Sequence, residues 1–171
     1  IDTPGHVDFT SEVERSLKVL DGACVVFCGV GGVEPQSETV WRQADRYKVP
    51  RICFVNKMDR IGADFEVVLG QIRERLGARA AAIFLPLGKE DQLKGMIDVI
   101  EQKAIVYHGD DLGATFDIVD IPADEVERAK AAKTMLIETV SETDDELMEM
   151  FINGKLPTND QLRKSIRQAT C

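Results

Sequence analysis

Two short runs hold residues that can do chemistry together: Ile1-Asp2-Thr3-Pro4-Gly5-His6 and Asn56-Lys57-Met58-Asp59. In the first, an apolar residue suited to a strand end precedes Asp-x-x-Gly. A carboxylate at Asp2 can hold a water on Mg²⁺, the ion that neutralises charge developing on phosphates. Gly5 lets the backbone approach a terminal phosphate, and its N–H can register whether that phosphate is present. His6 can orient an attacking water, because phosphoryl transfer is mostly positioning and electrostatics. The whole string after a strand is far more specific than Asp-x-x-Gly alone.

The second run answers a recognition problem. Guanine presents N1–H and the N2 amino group as adjacent donors, and one carboxylate, Asp59, can accept both. Adenine lacks that pair and would leave the carboxylate unpaired, a penalty that can discriminate by roughly 10⁴-fold or more. Asn56 can tie the loop to neighbouring backbone and touch the base edge. The Lys57 stem can lie on the base face while its ammonium ties down adjacent loops. Together the runs make GTP, or GDP, with Mg²⁺ the leading ligand. The nucleotide-binding candidates are Asp2, Thr3, Pro4, Gly5, His6, Asn56, Lys57, Met58 and Asp59, with His6 catalytic and Asp2 linked to Mg²⁺ through water.

These runs need elements to position them. Val13, Leu17 and Leu20 repeat at helical spacing, and Asp21-Gly22 ends that helix. Ala23–Val30 is a continuous apolar run of strand length, which predicts burial on both faces. Pro35 suits a first helical turn, and Val40, Trp41, Ala44 and Tyr47 mark the buried face of the helix that follows. A second strand is expected over 51–55. Asp64 can cap a helix with Phe65, Val68, Leu69, Ile72 and Leu76 inward, ended by Gly77. Strand alternating with helix predicts a parallel sheet with right-handed crossovers, which puts both motifs in loops after strand C-termini, where open α/β sheets bind ligands.

Residues 78–171 differ. Short strands are expected over 80–87, 96–100, 104–107 and 116–121, forming a small antiparallel or mixed sheet. Helices follow: one over 123–140, one opened by Thr143-Asp-Asp-Glu146 as a capping box, and a last one opened by Thr158-x-x-Gln161. The division is therefore a partial nucleotide-binding domain over 1–77 and an inserted α+β subdomain over 78–171.

Composition narrows the function further. The chain has 171 residues and a net charge of −9, yet residues 101–150 alone carry 14 acidic and 4 basic side chains. Phosphates would repel that block, so it is either a solvated helical face or a docking surface for a basic protein. No run of 18 apolar residues exists, so no membrane span or membrane partner is expected. Cys24, Cys28, Cys53 and Cys171 have no metal-ligand spacing and read as reduced, buried residues of a cytoplasmic protein. His108 and Asp110-Asp111 read as a surface turn, and Trp41 and Tyr47 as core. Arg163, Lys164 and Arg167 form a small basic face on the last helix, solvated or in contact with RNA.

Several stretches resemble one family. His6-Val-Asp-Phe9, Glu12–Leu17, Val19–Ala23, Gly31–Ala44 and Val55–Arg60 are similar to bacterial-type elongation factor G, a ribosome-dependent GTPase that drives translocation of tRNA and mRNA. The likeness is dense over 1–66 and continues more loosely through Gly95–Ile105, Ile121-Pro-Ala123 and Asp145–Met148. It implies a P-loop-GTPase-type α/β sheet with flanking helices, lacking its N-terminal strands, plus an inserted α+β subdomain. His6 would then be the catalytic histidine, stabilised in place by ribosomal RNA, and the residues after Gly5 a mobile second switch. The acidic insertion would meet the ribosomal stalk protein, with tRNA and mRNA contacted only indirectly, by a monomer in the cytoplasm. Release, ribosome-protection and mitochondrial elongation factors are the nearest alternatives. A non-catalytic stalk-docking module formed by 78–171 is the rival of another class.

No Gly-x-x-x-x-Gly-Lys-[Ser/Thr] loop occurs in the sequence, so nothing in it cradles a β-phosphate. The first switch and the family's second guanine-contacting loop are missing too. The expectation is that these residues are a fragment of such a GTPase, with a gap in the sheet core where the missing first strand would lie. The fragment by itself would bind GTP very weakly and not hydrolyse it.

Overall fold

In the computed structural model, residues 1, 10–108 and 113–171 are described. Asp2, Thr3, Pro4, Gly5 and His6 lie outside them, as does the Asp110-Asp111 turn. The chain divides into two compact units, with bodies Ile1–Ala78 and Arg79–Ala169.

The first unit runs α1 (Thr10–Leu17), β1 (Ala23–Cys28), α2 (Pro35–Arg46), β2 (Arg51–Asn56) and α3 (Phe65–Leu76). β1 and β2 pair in parallel, from Ala23 opposite Arg51 to Cys28 opposite Asn56. Parallel neighbours need a crossover, and α2 supplies it. Pro35 opens α2 after an extended Glu34; it lacks the N–H that a first helical turn leaves unpaired anyway. The Asp64 carboxylate accepts the N–H groups of Glu66 and Val67 to open α3, and Gly77 closes it in the left-handed conformation, φ +64°.

Val13, Leu17, Ala44 and Val49 form one core cluster, with Leu20, Ala23, Val40 and Tyr47 packed against it. Tyr47, expected as plain core, is half-buried and does more. Its hydroxyl donates to Glu14, and the Lys18 ammonium stands 5.8 Å from its ring centre, so α1 is clasped to the end of α2. That hydrogen bond holds the Glu14 carboxyl below its ordinary range and raises the Tyr47 phenol.

Burial of β1 on both faces is corrected. Side chains alternate along a strand. Phe27 points to the helices, its ring 6.5 Å from that of Trp41. On the other face Val26, Ile52 and Phe54 are 57%, 58% and 54% exposed. The sheet of this unit holds only β1 and β2 among the described residues, so no described element covers that face. The cysteines are corrected as well. All four are free thiols; Cys24, Cys53 and Cys171 are exposed and Cys28 is half-buried. Cys53 has solvent-accessible surface, yet the protein packed behind it pushes its thiol up to about 11.

The second unit opens with an antiparallel sheet of β3 (Phe84–Leu87), β4 (Gly95–Asp98), β5 (Lys103–Tyr107) and β6 (Phe116–Val119), in that order. β3 is shorter than the apolar run over 80–87 suggests because β4 offers only four residues: Phe84 pairs with Asp98 and Leu87 with Gly95. Gly95 is required, since a Cβ there would collide with the Ile105 carbonyl. The helices are α4 (Val126–Ser141), α5 (Asp145–Ile152) and α6 (Asn159–Thr170). Ile97, Ala104, Ala129, Ile137 and Leu162 are almost wholly buried. His108 is exposed, with Nε2 2.7 Å from Asp117 Oδ2. Among the described residues, no helix is long and apolar enough to cross a membrane.

The Thr158–Gln161 capping box forms as expected. At α5 the cap is Asp144 rather than Thr143: its carboxylate accepts from Glu146 N–H and Leu147 N–H, at 3.1 and 3.2 Å. Buried Ser165 of α6 donates to the same carboxylate at 2.5 Å, so one side chain caps α5 and ties it to α6. The Ser165 hydrogen bond, followed by the Leu147 N–H, holds the Asp144 carboxyl below its ordinary range. A carboxyl lowered on folding stabilises fully above its unfolded pKa, near 4, and that stabilisation is lost as pH falls through the lowered folded value. Asp144→Asn keeps an acceptor for the cap but carries no charge. Urea denaturation between pH 7 and pH 3 should therefore show a smaller acid-induced loss of stability in Asp144→Asn than in the wild type; equal losses would contradict the assignment.

Candidate functional site

The site is built where β1 and β2 end side by side. Asn56, the last residue of β2, turns its side chain back so that Oδ1 accepts the Lys57 N–H at 2.8 Å. Lys57 then adopts the left-handed conformation, φ +62°. For a residue with a Cβ this costs about 1–2 kcal/mol and persists only where the surroundings impose it. The imposition comes from the loop that follows β1. Gly29 N–H donates to the Asn56 carbonyl at 2.7 Å, and the Gly29 carbonyl accepts from Asp64 N–H at 3.0 Å. One residue of the neighbouring loop thus bridges both ends of the recognition segment. Arg60 N–H to Lys57 O and Ala63 N–H to Arg60 O, at 3.2 and 3.1 Å, set the turns between.

Side chains in this segment face two ways. Met58 and Ala63 are buried, 8% and 5% exposed, whereas Lys57 and Asp59 are exposed. The Asp59 carboxylate makes no hydrogen bond or ion pair among the described residues. A carboxylate held outward at the C-terminal edge of a parallel sheet leaves two acceptor oxygens open to solvent.

The loop after β1 is braced as firmly. Gly32 N–H donates to the Cys28 carbonyl at 2.7 Å, and Gly32 is left-handed, φ +65°. Val33 N–H donates to Gln71 Oε1 of α3 at 2.8 Å. The Arg75 guanidinium donates to the Val33 carbonyl and to Glu38 of α2. Gln71 and Arg75 escaped the sequence reading. Their signal was available: two long polar side chains four apart on one face of α3, opposite a glycine pair. The Cys28 thiol lies within this loop. The Gly31 and Val30 N–H groups bring it below its ordinary range, and Lys57 and Arg60 add to the effect.

A family model described as the elongation factor Tu GTP binding domain matches residues 1–159. The chain belongs to this family. Its fold also matches a crystal structure of a protein from Thermus thermophilus, with a TM-score of 0.86 and 31% identity. The match covers 99% of this chain and 25% of that one, so the chain spans about a quarter of that protein's length. As in a GTP-binding domain of this family, the sheet is parallel with flanking helices, and an antiparallel-sheet subdomain is added.

Whether the residues present suit a guanine nucleotide can be tested at the base end. Asn56, Lys57 and Asp59 stand at one strand end, and the Asp59 carboxylate is outward with no partner among the described residues, as a guanine acceptor would need to be. Thr3, Pro4, Gly5 and His6, with the Mg²⁺ candidate Asp2, lie outside the described residues, so the phosphate end rests on sequence alone. Among the described residues no cluster of His, Cys, Asp and Glu could hold a metal ion.

Proposed function

We propose that the chain is the segment of a ribosome-dependent translational GTPase that runs from the second switch through guanine recognition to the insertion, in a factor of the elongation factor G type that drives translocation. The observation that carries this reading is the outward Asp59 carboxylate on the Asn56–Asp64 segment, in a chain of the GTP-binding elongation factor family. Asp59 accepts N1–H and the N2 amino group of guanine, Lys57 lies along the base, and Asn56 holds the loop. Bound Mg²⁺ supplies charge neutralisation on the phosphates. Asp2 would hold it through water, Gly5 N–H would sense the terminal phosphate, and His6 would orient the attacking water.

In this reading the partners are the ribosome's RNA near His6 and a basic stalk protein at the acidic insertion, with tRNA and mRNA reached only indirectly. The factor acts as a cytoplasmic monomer. Arg163 of the insertion is engaged by Glu101 and Asp160, which weakens the basic face of α6 as an RNA contact.

The test compares two proteins. The longer protein carrying this segment should hydrolyse GTP faster when ribosomes are added. Its His6→Ala variant should lose about 10²–10⁴-fold of that rate, the range for a positioned proton-handling side chain, while still binding GDP. The 171-residue chain alone should show no submicromolar GTP affinity. Ribosome-independent hydrolysis, or a His6→Ala variant of unchanged rate, would reject the proposal.

A further inference from the structure

Met58 occupies the variable position of the Asn56-Lys57-x-Asp59 run, and its side chain is turned away from the place where a base would lie. It is buried between residues that are not: Lys57 before it and Asp59 after it are exposed. Its Sδ lies 2.8 Å from the point where a Cβ on Gly29 would stand, and the Ala63 methyl lies 3.2 Å from that same point. Met58 therefore fills the space that the missing Gly29 side chain leaves, inside a segment whose two ends are both hydrogen-bonded to Gly29. Backbone bonds close the segment, and the thioether fills it.

We infer that Met58 is the positioning residue for guanine selectivity, resting on the reading of Asp59 as the guanine acceptor. Residue 58 pointing inward is what turns residues 57 and 59 outward. The left-handed backbone at Lys57 has no glycine to ease it and is maintained by this apolar peg together with the Asn56 side chain. A shortened peg leaves a void beneath the turn, which relaxes into it and carries the Asp59 carboxylate away from the two donors it must meet at once. The loss falls on base discrimination more than on phosphate binding, because the phosphate candidates, Asp2 to His6, are about 50 residues away in the sequence. Methionine suits the place, since an unbranched thioether fills an irregular gap between a glycine backbone and an alanine methyl. Leucine, of similar volume, should replace it.

The experiment measures the affinities of GDP and IDP for the longer protein and its Met58→Ala, Met58→Val and Met58→Leu variants. IDP lacks only the N2 amino group, so the affinity ratio reports the second hydrogen bond to Asp59. The wild type should prefer GDP by at least about tenfold, as expected for a hydrogen bond to a charged acceptor. Met58→Ala should shrink that preference at least about fivefold, Met58→Val by less, and Met58→Leu should keep it within about twofold. Met58→Val supplies the answer if the alanine variant does not fold. Equal weakening of GDP and IDP, with the ratio kept in both shortened variants, overturns the positioning role and leaves the guanine reading standing. A wild type with no preference for GDP overturns both.

Discussion

Replacing Asp59 by Asn should lower guanine nucleotide affinity of the longer protein by about 10³–10⁴-fold and bring xanthine nucleotides above guanine. The reason is a reversal of one hydrogen-bond pattern. Guanine offers two donors side by side, and the carboxylate offers two acceptors. An amide at the same place offers one acceptor and one donor, so its N–H meets the N2 amino group head-on. Xanthine carries a carbonyl at that carbon, and the amide then matches both positions. Sites built on such polar pairs discriminate by about 10⁴–10⁵-fold. Asp59 is exposed and has no partner among the described residues, so no described group would be orphaned by the change and the fold should survive it. Displacement of a fluorescent GDP by GDP and by XDP checks the expectation. Guanine affinity kept within about tenfold would show that Asp59 does not read the base.

The second large effect is on stability. Trp41→Ala should cost the first unit about 3–5 kcal/mol, the range for emptying a large buried aromatic site. Trp41 is 8% exposed and links three elements. Its ring lies 6.5 Å from the Phe27 ring on β1. The Arg51 guanidinium that starts β2 stands 4.1 Å from its centre, and Arg51 also donates to the Trp41 carbonyl at 3.0 Å. A cation over an indole face adds about 0.5–2 kcal/mol. Trp41→Phe should therefore retain most of the stability, since it keeps a ring for both partners. Denaturant titration of both variants provides the measurement. A loss under about 1 kcal/mol for Trp41→Ala would place the unit's stability elsewhere.

The alternation of apolar runs with Gly and Pro punctuation was enough to read the parallel pair, the α2 crossover, the Asp64 and Thr158 caps and the Gly77 stop. Each of these is set by local backbone chemistry, so each is visible within a few residues of sequence. Phe27 and Val26 mark where local reading ends. Both are apolar neighbours in one run, yet Phe27 meets Trp41 while Val26 is open to solvent. Period-two alternation tells that they face opposite ways; which face finds a covering helix depends on elements distant in the chain. The capping of α5 is a finer case. Thr143 and Asp144 are both good N-caps, and Ser165, 21 residues away, accompanies Asp144 as the one used.

The candidate site divides along the same line. Asn56, Lys57 and Asp59 stand out in the sequence as candidates because their donors and acceptors are dictated by residue type, and the base they would suit follows from hydrogen-bond complementarity alone. The fold class followed from the alternation of strand and helix, and the GTP-binding family from the resemblance carried by several stretches between His6 and Arg60. The tertiary structure decided what holds them: Gly29 bridging Asn56 and Asp64, Gln71 and Arg75 bracing the loop after β1, and Met58 facing inward rather than toward a nucleotide. Those contacts join residues distant in the chain, Val33 to Gln71 and Arg75 among them, and they depend on the parallel register that sets Cys28 beside Asn56. Chemistry carried by one side chain can be read from a sequence; the direction in which that side chain points is settled only when distant backbone closes around it.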